Sequence, residues 1–111
     1  MKDLTAIANL SILLVEPSDV QQKLIIKSLT QCGVTQIETA TSQAQTLTML
    51  ENYQPDLVIS SMYFSDGSAD SLLQKIRVTP GIEHQAFMLV STERNKTCLL
   101  YTLTLPTNPS V

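Results

Sequence analysis

Four short apolar runs divide the chain, and amphipathic segments lie between them. The runs are ILLV at 12–15, QIETA at 36–40, DLVIS at 56–60 and AFMLV at 86–90. Three of the four are nearly continuous in apolar residues, which is typical of strands that are buried on both faces of a parallel sheet. Strands that alternate with helices at this spacing require right-handed crossovers. The pattern therefore predicts an α/β fold with helices on both faces of the sheet.

Each segment that follows one of the first three runs begins with a residue that can cap a helix. The candidate caps are Ser18, Thr41 or Ser42, and Ser68. Gln21 and Gln45 lie three residues after Ser18 and Ser42, which predicts two capping boxes. Gly33 is placed to end the first helix, and Pro55 stops the second segment before the third strand.

The first helix carries an apolar stripe. Val20, Leu24, Ile25, Leu29 and Cys32 recur at helical spacing. We expect this stripe to pack into the core.

Composition excludes several classes of function. The 111 residues suffice for one domain, which we expect to span 1–111. The seven Lys and Arg residues are scattered, and the formal net charge is −3, so nucleic-acid binding has little support. No apolar run approaches the ~18 residues of a membrane helix, and the N-terminus lacks a signal-peptide pattern. We therefore expect a cytoplasmic protein without a membrane role.

The cysteines and the histidine offer no catalytic or metal-binding pattern. Cys32 and Cys98 are far apart in sequence and lack CxxC spacing, which indicates two reduced thiols. His84 is the only histidine, so neither a metal cluster nor a Ser–His pair can be assembled from the sequence. We expect no independent enzymatic activity.

Polar residues follow the predicted strands at their carboxyl ends, where open parallel sheets bind ligands. These residues are Glu16, Pro17, Ser61, Ser91 and Thr92. They define the candidate site.

From about Ile12 to Thr92 the chain resembles the receiver domains of two-component response regulators, the CheY-like domains. The matching stretches are ILLVEPSDVQQKLI, PDLVISSMYFSDGSADSLLQKIR and FMLVST, which occur in the right order and spacing. The resemblance implies a flavodoxin-like, doubly wound parallel sheet of order 2-1-3-4-5. It also implies a role in phosphorelay signalling.

The resemblance assigns a counterpart to each group of the receiver's phosphorylation site. The pair of Mg²⁺-binding acids falls on Glu16 and Pro17, and the phosphoacceptor aspartate falls on Ser61. The Ser or Thr that receivers place after the fourth strand falls on Ser91. If LTLPT is a relic of the fifth strand, the lysine position falls on Leu105. Three groups that receivers use are therefore absent at these positions.

These replacements predict a degenerate receiver, or pseudo-receiver. Phosphoryl transfer depends on positioning and on charge stabilisation, chiefly by metal and cationic groups. Glu16 alone can hold a metal ion at most weakly, so Mg²⁺ binding is doubtful and we expect no cofactor. The Ser61 hydroxyl needs a base to remove its proton, and the sequence offers none. We expect the domain to act through protein–protein contacts.

Two alternatives stay open. Asp66 lies five residues after Ser61 and is a candidate for a displaced acceptor, although Asp-Gly is an ordinary turn dipeptide and we favour the turn. A pocket lined by Glu16, Ser61 and Ser91 offers one acid and two hydroxyls to a small ligand. Those groups are too generic to name the ligand.

The tail is too short for a whole receiver. After the fourth strand such a domain needs on the order of 40 further residues, and only 92–111 remain, so 93–111 is atypical. We expect the C-terminal elements to be truncated and the fifth strand to be abbreviated or replaced, or the chain to be a fragment. TCLLYTLTL at 97–105 favours a strand that pairs antiparallel with the fourth after a turn at ERNK, and a helix is the rival. Exposed apolar surface then predicts self-association, as a homodimer, or docking of a signalling partner through residues 85–105.

Overall fold

The computed structural model describes residues 8–91 and 98–102. The strands are β1 (Ser11–Val15), β2 (Gln36–Ala40), β3 (Leu57–Ser60), β4 (Tyr63–Phe64), β5 (Gly67–Ser68), β6 (Phe87–Ser91) and β7 (Cys98–Thr102). The helices are α1 (Asp19–Gln31), α2 (Gln43–Leu50) and α3 (Ala69–Arg77). Within the described residues, none of these helices has the length and apolar character that crossing a bilayer demands.

The main sheet has the strand order β2-β1-β3-β6-β7. Its first four strands are parallel, which confirms the predicted order 2-1-3-4. β7 pairs antiparallel with β6 at the edge, so the strand predicted within 97–105 is present over Cys98–Thr102. The turn predicted at 93–96 lies outside the described residues. The short antiparallel pair β4–β5, which follows β3, was not predicted from the sequence.

Alternate residues of the strands pack on opposite faces of the sheet. On one face, here called the two-helix face, Leu13, Val15 and Phe87 join a buried cluster with residues of α2 and α3. On the other, the one-helix face, Ile12 and Leu14 pack with residues of α1. This double burial explains the continuous apolar runs that the sequence shows.

Gly33 ends α1 as predicted. It has a φ of 103°, and its N–H donates to the Thr30 carbonyl at 3.0 Å. The next residue, Val34, donates to the Leu29 carbonyl at 3.1 Å and is buried against the one-helix face. These two hydrogen bonds form a Schellman motif, in which the left-handed residue is one that glycine adopts without strain.

The predicted helix caps are present, but both predicted capping boxes are incomplete. Ser18 and Ser42 accept the N–H groups of Gln21 and Gln45. The Gln45 side chain accepts from the Thr41 N–H at 2.8 Å instead of closing a box on Ser42. The Ser18 N–H donates to the carboxylate of Glu16 instead of to the side chain of Gln21.

The prediction that the whole α1 stripe lies in the core is wrong. Ile25 is buried and Leu29 is half-buried, but Val20 is 66% exposed and Leu24 is 48% exposed. Cys32 is also exposed. Because a helix of 3.6 residues per turn places Val20 and Leu24 on one side and Ile25 on another, only part of so broad a stripe can face the sheet.

Candidate functional site at the carboxyl edge of the sheet

The candidate site lies where three neighbouring strands end. Glu16 directly follows β1, Ser61 directly follows β3, and Ser91 is the last residue of β6. The Glu16 N–H donates to the Ala40 carbonyl at 2.9 Å, and the Ser61 N–H donates to the Val15 carbonyl at 3.0 Å. These bonds continue the parallel pairing one residue beyond the strands. They fix the backbones of Glu16 and Ser61 at one edge of the sheet.

The Glu16 carboxylate accepts a hydrogen bond in the turn that leads into α1. The residue is only 6% exposed, and its Oε2 atom accepts the N–H of Ser18 at 3.0 Å. Its backbone carbonyl accepts from the Gln22 side-chain amide at 2.8 Å. Pro17, between Glu16 and Ser18, is exposed and offers no side-chain donor or acceptor. Glu16 therefore accepts the Ser18 N–H, which the predicted capping box assigned to the side chain of Gln21.

The hydroxyl of Ser61 is enclosed and has no hydrogen-bond partner in the described structure. The Ser61 backbone carbonyl accepts from the Ser60 hydroxyl at 2.7 Å. A serine hydroxyl becomes a nucleophile when an adjacent base accepts its proton, and no such bond is present here. The side-chain carbonyl of Gln21 is likewise enclosed and without a partner. The carboxyl edge thus contains orphan polar atoms but no activated one.

The donor set does not fit a resident Mg²⁺ ion. The positions that the sequence resemblance assigns to two acids and an acceptor carboxylate carry Glu16, Pro17 and Ser61. One oxygen of Glu16 is already bound to a backbone N–H, and Pro17 supplies no oxygen from its side chain. Among the described residues, no group of three His, Cys, Asp or Glu side chains is arranged to hold a metal.

Asp66 does not lie free in its loop. Its Oδ1 atom accepts the N–H of Gln43 and its Oδ2 atom accepts the N–H of Ala44, each at 2.9 Å. These two N–H groups open α2, so Asp66 caps the N-terminus of a helix distant in sequence. The two bonds, that from Gln43 first, hold the pKa of Asp66 below its usual value. The predicted turn is thus also a tertiary contact, which the dipeptide itself did not reveal.

Two further residues, Gly67 and Ser71, adjoin that contact. The Ser71 hydroxyl donates to the Gln43 side-chain carbonyl at 2.6 Å, and Ser71 also closes a capping box with Ser68. Gly67 lies against this pair: a Cβ there would come within 2.8 Å of both Gln43 Oε1 and Ser71 Oγ. We call Gln43, Asp66, Gly67 and Ser71 the α2 clasp. The clasp fixes the loop between β3 and α3 onto the start of α2.

Apolar side chains are exposed beside the site. Met62 and Tyr63, which follow Ser61, are 42% and 74% exposed. Val20 and Leu24 are exposed on α1, the helix that begins at the same edge. These are four exposed large apolar side chains on segments that leave the carboxyl edge of the sheet.

Two cavities lie at the opposite edge of the sheet. One, of about 410 Å³, is lined by residues 54–56 and 81–86, and these segments precede β3 and β6. The other, of about 480 Å³, is lined by Leu47, Leu50, Pro80 and Ile82 among others. Neither includes Glu16 or Ser61. The predicted small-ligand pocket of Glu16, Ser61 and Ser91 stays a prediction.

Several solved structures share this fold. The chain is similar to the signal receiver domain of a signal transduction histidine kinase from Syntrophus aciditrophicus, with a TM-score of 0.67 at 24% identity over 77% of this chain and 66% of that chain. It is similar to the chemotaxis response regulator CheY4 of Vibrio cholerae, with a TM-score of 0.66 at 18% identity over 77% of this chain and 70% of that chain. It is also similar to the MaeR response regulator bound to beryllium trifluoride, with a TM-score of 0.63 at 22% identity over 78% of this chain and 71% of that chain. No protein-family model matches the sequence, and no curated protein matches it by sequence.

The chain has the fold of a CheY-like receiver domain of response regulators, which confirms the resemblance at the level of the fold. The match spans about two thirds of the length of the first of these solved chains. At such identities the likeness establishes the fold alone. The counterparts assigned to Glu16, Pro17, Ser61, Ser91 and Asp66 stay predictions, and Leu105 lies outside the described residues.

Proposed function

We propose that this chain is a single receiver-type module, 1–111, of a two-component phosphorelay that is not phosphorylated on aspartate and that signals by binding other proteins. The observation that carries the proposal is the enclosed, unpartnered hydroxyl of Ser61 at the end of β3. A receiver needs an ionised carboxylate at that place, and Ser61 presents a neutral group without a base.

The surroundings of Ser61 support the same conclusion. Stabilising a transferring phosphoryl group requires positive charge, from a metal or from basic side chains. Glu16 contributes negative charge, and its carboxylate is engaged with the Ser18 N–H. With Pro17 in place of the second acid, the edge lacks the groups that would hold Mg²⁺ next to a phosphate. Independent enzymatic activity has no support either.

Protein contacts are the remaining way for such a domain to transmit a signal. The exposed side chains of Val20, Leu24, Met62 and Tyr63 offer apolar contact area next to the degenerate site. Residues 85–105, which include β6 and β7, offer a second surface for a signalling partner or for a second copy of the chain. The net charge of −3 with scattered basic residues makes nucleic acid and anionic membranes poor partners, and we place the protein in the cytoplasm.

The direct test uses beryllium trifluoride, which is bound in the MaeR structure, together with Mg²⁺. Amide chemical shifts of the chain are recorded with and without the pair of reagents, and a receiver domain that retains its acceptor aspartate serves as the positive control. We expect no shift changes at residues 15–18 and 60–63. Saturable changes at these residues would refute the proposal.

A second experiment addresses the displaced acceptor. Both carboxylate oxygens of Asp66 accept backbone N–H groups of α2, which opposes a role as nucleophile because reaction would disrupt the cap. The chain is incubated with acetyl phosphate and Mg²⁺, and its intact mass is measured by mass spectrometry. We expect no added phosphate. A phosphate adduct that is lost in Asp66→Ala but kept in Asp70→Ala would establish the alternative.

A further inference from the structure

The two edges of the main sheet are protected to very different degrees. β2 forms one edge, and in the described part of the chain β7 forms the other. An edge strand exposes a row of unpaired backbone N–H and C=O groups, and proteins guard such edges with charged residues, prolines or bulges. The composition of each edge strand therefore indicates whether another strand can add to it.

The β2 edge is guarded by charge. Glu38 is the central residue of β2 and is exposed. If two copies paired antiparallel through the middle of β2, Glu38 would lie opposite its own copy. Like charges directly opposite each other in a strand pair are destabilising. Self-pairing through β2 is therefore disfavoured.

The β7 edge has no such charge. The stretch TCLLYTLTL at 97–105, which contains β7, has no charged residue, no proline and no glycine, and it is rich in Thr, Leu and Tyr. Antiparallel pairing of a strand with its own copy is two-fold symmetric, so pairing centred on the middle of β7 brings each residue of Cys98–Thr102 opposite another uncharged residue of the same five. No like-charge contact opposes that pairing.

One feature of β7 limits the strength of this contact. Val90 pairs with Leu99 and Leu89 with Tyr101, so Leu100 is an extra residue that forms a bulge in β7. A bulge bends and twists an edge strand and divides its pairing surface into shorter pieces. The contact is therefore short, and a short contact is weak.

We infer that β7 is a self-association edge, at which a second copy of this chain adds antiparallel to β7 and joins two five-stranded sheets into one. The inference rests on the part of the proposed function that assigns self-association to residues 85–105. It narrows that surface to Cys98–Thr102 and identifies the partner. The expected dimer is weak and forms in the high micromolar range.

The first test is sedimentation equilibrium over a range of concentrations on the intact chain and on two matched variants. Thr102→Lys places one charge on β7, and Thr39→Lys makes the same change on β2. We expect the intact chain and Thr39→Lys to dimerise alike, while Thr102→Lys loses at least ten-fold in dimer affinity, because a lysine on an edge strand opposes the addition of another strand. A monomer at all concentrations, which would leave the edge to a strand of another protein, overturns the inference. Equal dimerisation of both variants also overturns it.

A second measurement does not depend on the folding of Thr102→Lys. In Cys32→Ser the only cysteine is Cys98, which can carry a spin label. Strand residues rise by about 3.3 Å, so any symmetry axis within β7 places the two copies of Cα 98 between about 5 and 26 Å apart. Electron–electron distances that correspond to this Cα–Cα window, once the reach of the two label side chains is added, support the inference, and dimers with only longer distances contradict it.

These outcomes are separable from the proposed lack of phosphorylation. Binding of beryllium trifluoride would refute the degenerate site and leave the result at β7 unchanged. A monomeric chain that ignores beryllium trifluoride would refute the β7 contact alone.

Discussion

The two faces of the sheet differ in how completely helices cover them. On the two-helix face, α2 and α3 enclose the strand residues, and the α2 clasp ties the loop after β3 to the same side. On the one-helix face, α1 is the helix that the structure describes, and Ile37, Leu57 and Met88 are only half-buried there. In the described part of the chain, apolar side chains are therefore buried more completely on the two-helix face than on the one-helix face.

The largest effect should come from the centre of the two-helix face. Leu72 of α3 is fully buried, so Leu72→Ala should lower the free energy of unfolding by about 2–5 kcal/mol, because it leaves a cavity. Leu29→Ala, at a half-buried position of the one-helix face, should cost clearly less. Urea denaturation followed by circular dichroism measures both, with equal m-values as the check on two-state behaviour. Equal losses would erase the contrast between the faces.

Replacing the two glycines that have positive φ should give the next largest effect. Gly33, on the side of α1, and Gly81, between α3 and β6, have φ values of 103° and 97°. Each change to alanine should cost about 1 kcal/mol or slightly more, because an L side chain is strained in this region. Gly81 has no atom within 4 Å of an added Cβ, so Gly81→Ala isolates the backbone contribution. A much larger loss at Gly33 would reveal steric conflict at the end of α1 in addition to strain.

The clasp predicts an acid-dependent contribution from the two-helix face. Because folding lowers the pKa of Asp66, its ionised form stabilises the fold at pH values above the usual pKa of 3.8, and this contribution is lost as the pH falls through the folded pKa. Asp66→Asn should therefore lower the melting temperature at neutral pH, and the difference from the parent chain should shrink below about pH 4.

Glu51→Gln is the matched control for that experiment. It removes a carboxylate from the C-cap of the same helix, α2, where negative charge is unfavourable. It should leave the melting temperature unchanged or raise it slightly at neutral pH. If Asp66→Asn behaves in the same way, the clasp contributes nothing to stability.

The smallest effect should come from the outer side of α1. Leu24→Gln should change the free energy of unfolding by no more than about 0.5 kcal/mol, because half of the side chain is already exposed. Thermal unfolding by calorimetry measures this change, with Ile25→Ala, at the buried neighbour, as the contrasting variant. A loss at Leu24 as large as that at Ile25 would show that the outer side of α1 is covered in solution.

Much of the fold was accessible from the sequence because local patterns and global topology agree here. The continuous runs at 12–15 and 86–90 required burial on two faces, and helices between parallel strands allowed few topologies. The placement of Glu16, Ser61 and Ser91 at one edge followed from that topology alone. The hydrogen-bond partner of the Glu16 side chain did not follow from the topology. The Ser18 N–H can be accepted by Glu16 or, in a capping box, by Gln21, and the sequence is compatible with both.

The amino-acid sequence by itself determined the alternation of strands and helices, the ends of α1 and the absence of an acidic residue at the end of β3, because each depends on residue type and short-range spacing. Only the tertiary structure decided that Asp66 caps α2, that Val20 and Leu24 face outward and that the Ser61 hydroxyl is enclosed. These properties depend on which distant segments meet. A contact between residues 22 or 23 positions apart leaves no periodic signal in the chain.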